Sequence, residues 1–293
     1  MASKVYFTKT ITPEKVVEMF KKLNKKLPGK VAVKIHSGEK GNLNFIKPEF
    51  WIPVRDYVKG TFVECNTAYP GQRNSTEKHK ILLKEHGWVD AGGIDLLDAE
   101  GPDITLKIPN GIILKENYVG KNMKNYDSAL VLIHFKGHVC GGFGGALKQL
   151  SIGFGSTAGK AYQHSAGRSN DQGKCWGVEA TNKEFKEAMA DAALSIVDFF
   201  KGKIAYVAVM ANISIDCDCD CNAHPPCMED IGILSSTDPV ALDQACFDLV
   251  NKCNETGKEK LLKRIDDKMG LHVIESAVKL GIGKREYELI NVD

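Results

Sequence analysis

The chain has 293 residues, 43% hydrophobic, 26% charged and 8% aromatic, the make-up of an ordinary soluble globular protein. Lys and Arg number 39 against 37 Asp and Glu, a formal charge of +2, which argues against a general nucleic-acid binder and its concentrated basic footprint. No apolar run approaches the roughly 18 residues of a membrane helix, and Met1 to Tyr6 carry no secretory-signal pattern, so a cytoplasmic protein without membrane contacts is expected.

Lys4–Thr8 reads as a strand. Thr12-Pro13-Glu14 then supplies an N-cap, a first-turn proline and a first-turn acid, and Val16, Phe20, Leu23 and Leu27 give that helix its apolar face. Val31–Ile35 is a second strand, Pro48–Val58 a second helix, Thr61–Cys65 a third strand and Ser75–His86 a third helix. Ile94–Leu97 is a short fourth strand, and the pattern around Pro109-Asn110-Gly111 predicts a hairpin inserted between Ile104 and Leu114. Ala129–Ile133 is the strongest buried strand and ends at His134. Between Gly137 and Gly159, eight of 23 residues are glycine, which implies unusual backbone geometry or close ligand approach.

A helix along Phe185, Met189, Ala192, Ile196 and Phe199 follows, then strands at Ile204–Val209 and Ile231–Leu234. Asp238-Pro239 opens another helix, and two further helices (258–268 and 271–280) precede a final segment, Tyr287–Ile290. Strands alternating with helices predict an α/β fold. It would be a mostly parallel, Rossmann-like sheet covered by helices on both faces, with a small hairpin insertion. It reads as a single domain over 1–293, with lobes 1–125 and 126–293 as the alternative.

In open α/β sheets, ligands sit outside the carboxyl ends of the strands. Those ends deliver Lys34 and His36, then Asn66, Tyr69 and Arg73, then His134, Lys136 and His138, then Cys217 and Cys219, and finally Ser235 and Asp238. Of nine cysteines, Cys217, Cys219, Cys221 and Cys227 fall within eleven residues, and clustered cytosolic thiols point to metal or redox chemistry. Alternate residues of an extended chain lie ~6.6 Å apart, whereas thiolates sharing one tetrahedral zinc lie roughly 3.8 Å apart. Either the chain turns at Asp216–Cys221, or only two thiols converge, helped by Cys227, His224 or a distant histidine. The tract Gly155-Ser156-Thr157-Ala158-Gly159-Lys160 fails the phosphate-loop pattern at Phe154 and Ala161, although Lys148 and Lys160 could still hold an anion.

Together these segments resemble the iron–sulfur-associated proteins described as domain of unknown function 362. The resemblance rests on Val33-Lys34-Ile35-His36-Ser37-Gly38-Glu39, Asn66-Thr67-Ala68-Tyr69 with Arg73, and His134-Phe135-Lys136-Gly137-His138. It continues through Gly142–Lys148, Cys217-Asp218-Cys219, Asp230–Leu234, Asp238–Gln244 and Arg285–Leu289. Many relatives carry a ferredoxin-type insert with CxxCxxCxxxCP runs, but between Gly159 and Thr181 this chain has only Cys175, so ferredoxin-type [4Fe–4S] clusters are not supported. The resemblance implies His134, His138, Cys217 and Cys219 as ligands, and the additional Cys221, His224 and Cys227 would enlarge the site or bind a second ion.

The expected function is a metal-dependent, redox-linked enzyme acting on a small anionic substrate, with zinc or iron as the ion. Lys34, His36 and Lys148 are the catalytic candidates, and Asn66, Tyr69 and Arg73 the substrate-binding ones. Two alternatives accompany it. The order of histidine, Gly-Gly and lysine is similar to that in nickel-pincer lactate racemases, which implies an isomerase built on His134, His138 and Lys148. A non-enzymatic metal-handling protein is the other.

Overall fold

A computed structural model describes residues 2–178 and 180–293 of the chain. The first half builds β1 (Ser3–Thr8), α1 (Pro13–Lys22), β2 (Val31–Lys34), α2 (Pro48–Tyr57), β3 (Thr61–Glu64), α3 (Thr76–Glu85) and β4 (Asp95–Leu96). After these come β5 (Ile104–Lys107), β6 (Glu116–Val119), β7 (Ser128–His134), β8 (Lys136–His138), β9 (Gly142–Gly144), α4 (Ala146–Lys148) and α5 (Thr157–His164). The last third contributes α6 (Asn182–Phe200), β10 (Ile204–Met210), β11 (Gly232–Ser236), α7 (Pro239–Lys252), α8 (Lys258–Asp267), α9 (His272–Lys279) and β12 (Tyr287–Asn291).

The helix starts follow their sequence signals. The Thr12 hydroxyl accepts from the Lys15 amide at 3.2 Å, Ser75 from Lys78 at 3.4 Å, and the Asp238 carboxylate from Val240 and Ala241 at 2.9 and 3.1 Å. Each such cap satisfies amides that the first turn leaves unpaired, and typically contributes about 1 kcal/mol.

Eight strands form one sheet in the order β12-β1-β11-β10-β7-β2-β3-β4. All neighbours pair in parallel except β11, which is antiparallel to both β1 and β10. The strand side chains alternate between two cores. Ala129, Val131 and Ile133 of β7 face one core with Phe185, Met189 and Ile196 of α6, and Leu130 and Leu132 face another with Met19, Phe20 and Trp51. Every residue of β7 and β10 is buried, so the central strands read as continuous apolar runs rather than alternating ones. The fold is therefore the expected α/β sheet, mostly parallel and covered by helices.

The direction of β11 corrects one expectation. Because it runs against its neighbours, Ser235 and Asp238 emerge at the opposite edge from the other strand ends. There Ser235 donates to the Met19 carbonyl, and Asp238 caps α7 while accepting from Ser3. The inserted hairpin is larger than predicted, pairing Ile104–Lys107 with Glu116–Val119. Its tip is fastened to α6 by the Asp191 carboxylate, which accepts the amides of Ile112, Ile113 and Leu114 at 2.6 to 2.7 Å.

The glycine tract serves close backbone packing. A Cβ on Gly137 would sit 2.0 Å from the Ile215 carbonyl oxygen, and one on Gly159 would sit 2.0 Å from that of Tyr118. Only Gly142 in the tract has a positive φ, +83°.

Candidate metal and substrate site

The site begins with the strand ends. β2, β3, β7 and β10 run in parallel and release their chains at one edge of the sheet. The segment after β10 crosses those ends, held by the Gly137 amide on the Ser214 carbonyl (2.8 Å) and the Glu39 amide on the Asp218 carbonyl (2.7 Å). The Asp220 amide returns to the Cys217 carbonyl at 2.9 Å, so the chain turns here and does not run extended.

The turn then separates two chemistries. Asp218 points into a fully buried cationic nest, with Lys136 Nζ at 2.6 Å and His134 Nδ1 at 3.0 Å. Burial alone would raise the Asp218 pKa, but His134 and Lys136 outweigh it and hold the carboxyl far below its usual range. His134 Nε2 meets the Ala211 carbonyl at 2.7 Å, so both ring nitrogens are already engaged inside the nest.

Cys217 and Cys219 point the other way, and with His138 they bring three donor atoms within 4.8 Å of one another. His138 Nε2 lies 3.8 Å from Cys219 Sγ, and Lys148 Nζ lies 3.5 Å from Cys217 Sγ. Burial opposes ionisation of Cys217, yet a hydrogen bond from Cys219, the ammonium groups of Lys148 and Lys136, and His36 hold its pKa well below the usual thiol value. Cys219 moves up, because its proton is shared with Cys217 and the site is buried. The two shifts run in opposite directions, with Cys217 the more acidic of the pair. Lys148 is pushed up, since Cys217 and Cys219 outweigh its burial.

His138 Nδ1 accepts two backbone amides, Cys140 at 3.1 Å and Gly141 at 2.7 Å. Burial and the nearby Lys148 keep the ring neutral, so its proton sits on Nε2, facing the thiols. Ligation through Nε2 therefore requires that proton to leave and the turn at Cys140–Gly141 to release Nδ1.

Behind the opposite wall lies a second buried network. Lys34 bonds Glu64 at 2.7 Å, and Arg73 bonds Glu39 at 3.2 Å and the Tyr69 hydroxyl at 2.5 Å. Burial would raise the Glu64 pKa, but Lys34, His36 and Arg73 drive it below its usual range. His36, whose Nδ1 accepts the Gly38 amide at 3.1 Å, is held neutral by burial and Arg73, with its pKa lowered to about 4.

Between these walls opens a cleft of about 580 Å³, reached by His36, Arg73, His138, Lys148, Lys160 and Cys219. The model of the family described as Domain of unknown function (DUF362) matches residues 31–248, a span that contains this whole constellation. The chain belongs to that family. Among solved structures, the lactate racemase apoprotein of Thermoanaerobacterium thermosaccharolyticum is similar at 12% identity and a TM-score of 0.49, over 84% of this chain and 56% of that one. A Thermotoga maritima protein solved by a structural-genomics consortium is similar at 14% identity and a TM-score of 0.48, over 82% and 59%. The chain thus spans less than two thirds of either structure's length. A search of curated proteins returns no match.

In this DUF362 protein, His36, Tyr69, Arg73, His138, Lys148, Cys219 and Cys221 line the cleft, and Cys217 lies just behind Cys219. Lys34 and Asn66 stay behind the wall, Asn66 bonding His79 at 3.1 Å and Thr76 at 3.0 Å. His134 belongs to the Asp218 nest. His224 is exposed beside Asp216 at 3.4 Å, and Cys227 packs against the core with its amide on the Ile213 carbonyl. No helix among the described residues is long and apolar enough to cross a membrane. Sequence reasoning missed Glu39, Glu64 and the role of Asp218. Only Glu64 left a signal, a lone acid ending the apolar run of β3 beside the Lys34 strand.

Proposed function

We propose that this DUF362 protein is an enzyme that uses one soft transition-metal ion, zinc or iron, held by Cys217 and Cys219 with His138 at a third corner. Its substrate is a small anion bound in the adjoining cleft. The observation that carries the reading is the convergence of three donors within 4.8 Å beside an open cavity. Thiolates suit soft or borderline ions, and Lys148 and Lys136 lower the pKa of Cys217 and so favour its thiolate. Bound there, such an ion would supply a Lewis acid or a redox centre.

The chain's own residues do the rest. Lys148 and Lys160 reach the cleft, and neither has a carboxylate within ion-pair distance among the described residues. Lys148 faces Cys217, and Lys160 donates to the Gly155 carbonyl at 2.6 Å. These are the two cations left to meet an anionic group. Arg73 is already engaged by Glu39, Glu64 and Tyr69, so it fixes the shape of the wall.

Anaerobic purification, elemental analysis and titration with Zn²⁺ or Fe²⁺ test this. Wild type should hold about one equivalent per chain and release protons on loading, and Cys217→Ser or Cys219→Ser should lose most of that capacity. Cys227→Ser should keep it. Metal-free protein that takes up neither ion, or uptake that survives loss of Cys217, would refute the reading.

A further inference from the structure

The eight histidines differ in what their ring nitrogens do. His79, His134 and His272 have both nitrogens engaged, and His36, His86 and His138 have at least one held by backbone or side chain. His224 pairs with Asp216 at the surface. His164 alone has no hydrogen-bond or ion-pair partner among the described residues, and it lines the cleft.

Its ring is nonetheless firmly placed. It stacks on Phe185 at 4.6 Å between centroids and 17° between planes, and it lies 4.7 Å from the Trp176 ring. Phe185 is buried, whereas Trp176 is 47% exposed, with its indole N–H anchored on the Ala68 carbonyl at 3.1 Å. Ala68, Val139 and Ile152 line the same cavity, and Val139 is also exposed. One end of the cleft is therefore a flat, apolar shelf bearing a single unengaged polar ring. The same cleft carries Lys148 and, at its wall, Cys219.

The ring nitrogens of His164 open to the cleft with no protein hydrogen-bond partner among the described residues, so a ligand group can take the place that water otherwise fills there. Burial, then the charges of Lys148 and Lys160, keep His164 neutral with its pKa lowered to about 3, so it offers one acceptor nitrogen. Trp176 offers a free aromatic face beside that acceptor.

We propose that His164 and Trp176 form a recognition subsite for a planar, partly apolar ligand group that carries a hydroxyl or ring N–H. His164 accepts from that group while Trp176 stacks on it. Joined to the anion-binding role of Lys148 in the function proposed above, on which this step rests, the ligand class is an aromatic or heteroaromatic carboxylate with a hydrogen-bond donor on its ring.

Benzoate and its 2-, 3- and 4-hydroxy derivatives are the probes, titrated calorimetrically into the full-length protein without added metal. At least one hydroxy isomer should bind about 3- to 10-fold more tightly than benzoate, the ratio that one net hydrogen bond supplies. His164→Phe, which preserves the stack on Phe185, should erase that preference while leaving benzoate affinity within about twofold. His164→Gln, which restores an acceptor, should recover part of it. Trp176→Ala should weaken every probe alike. The proposal is overturned if no probe binds, if no hydroxy isomer exceeds benzoate, or if the preference persists in His164→Phe. Because these titrations contain no metal, they fail or succeed separately from metal uptake. Lys148→Ala separates the anion reading, since it should weaken all four carboxylates equally without touching the hydroxyl preference.

Discussion

Replacing Asp218 with Asn gives the most direct test of how the site is built. The carboxylate is 1% exposed and takes Lys136 Nζ at 2.6 Å and His134 Nδ1 at 3.0 Å. The amide removes the negative charge and leaves a buried ammonium facing a neutral group. Removing one member of a buried ion pair costs about 3–5 kcal/mol, a large share of the roughly 5–15 kcal/mol that stabilises a folded protein. Urea unfolding at pH 7 should therefore show a loss in that range. The sign of the pH dependence follows from the depressed pKa of Asp218 against its ordinary 3.8. Its contribution is complete above about pH 4 and is lost as pH falls below it, by up to ~1.4 kcal/mol per pH unit. The gap between wild type and Asp218→Asn should accordingly narrow below pH 4. Adding Lys136→Met to the Asn variant removes the stranded charge and should recover part of the loss. A cost below about 1 kcal/mol, or no recovery in the double variant, would refute the buried-pair account.

Two further outcomes follow from backbone contacts around the site. Gly137→Ala would press a methyl group against the Ile215 carbonyl at 2.0 Å. It should cost at least about 1–3 kcal/mol in thermal or denaturant unfolding, and should lower metal uptake through the displaced Cys217 segment. Asp243, buried beneath α4, accepts the Ala146 and Leu147 amides at 2.6 and 2.9 Å, and burial raises its pKa to about 7. The folded state thus holds this proton more tightly than the unfolded chain does, so its contribution is fullest below about pH 4 and declines as pH rises to 7. Asp243→Asn should flatten the stability profile across that window, and a profile identical to wild type would contradict the assignment.

Much of the sheet was legible because its signals are local. Thr12, Ser75 and Asp238 announce helix starts from side-chain chemistry within one turn, and Ala129–Ile133 can be little but a buried strand. The direction of β11 has no such signal. Gly232–Ser236 reads alike in either sense, so Ser235 and Asp238 were assigned to the wrong edge of the sheet. For the site, strand ends led to His138, Cys217 and Cys219 because parallel strands deliver their exits together. What pairs with what was hidden. Lys34 meets Glu64 across two strands, and Arg73 meets Glu39 thirty-four residues away, relations that no spacing rule encodes. His164 closes an amphipathic helix and looks there like an ordinary polar end. Only the stack on Phe185 and the lack of a hydrogen-bond partner among the described residues set it apart.

The turn at Cys217–Asp220 fixes which way each side chain of Cys217-Asp218-Cys219 faces. One intervening residue returns the second sulfur to the side of the first and sends the carboxylate to Lys136 and His134. Inserting a residue to make the spacing CxxC would break the turn that the Asp220 amide closes on the Cys217 carbonyl, and with it this division of sides. The two sulfurs and the buried acid are thus one structural unit, so a change in the length of this turn disturbs the donor set and the buried ion pair at once.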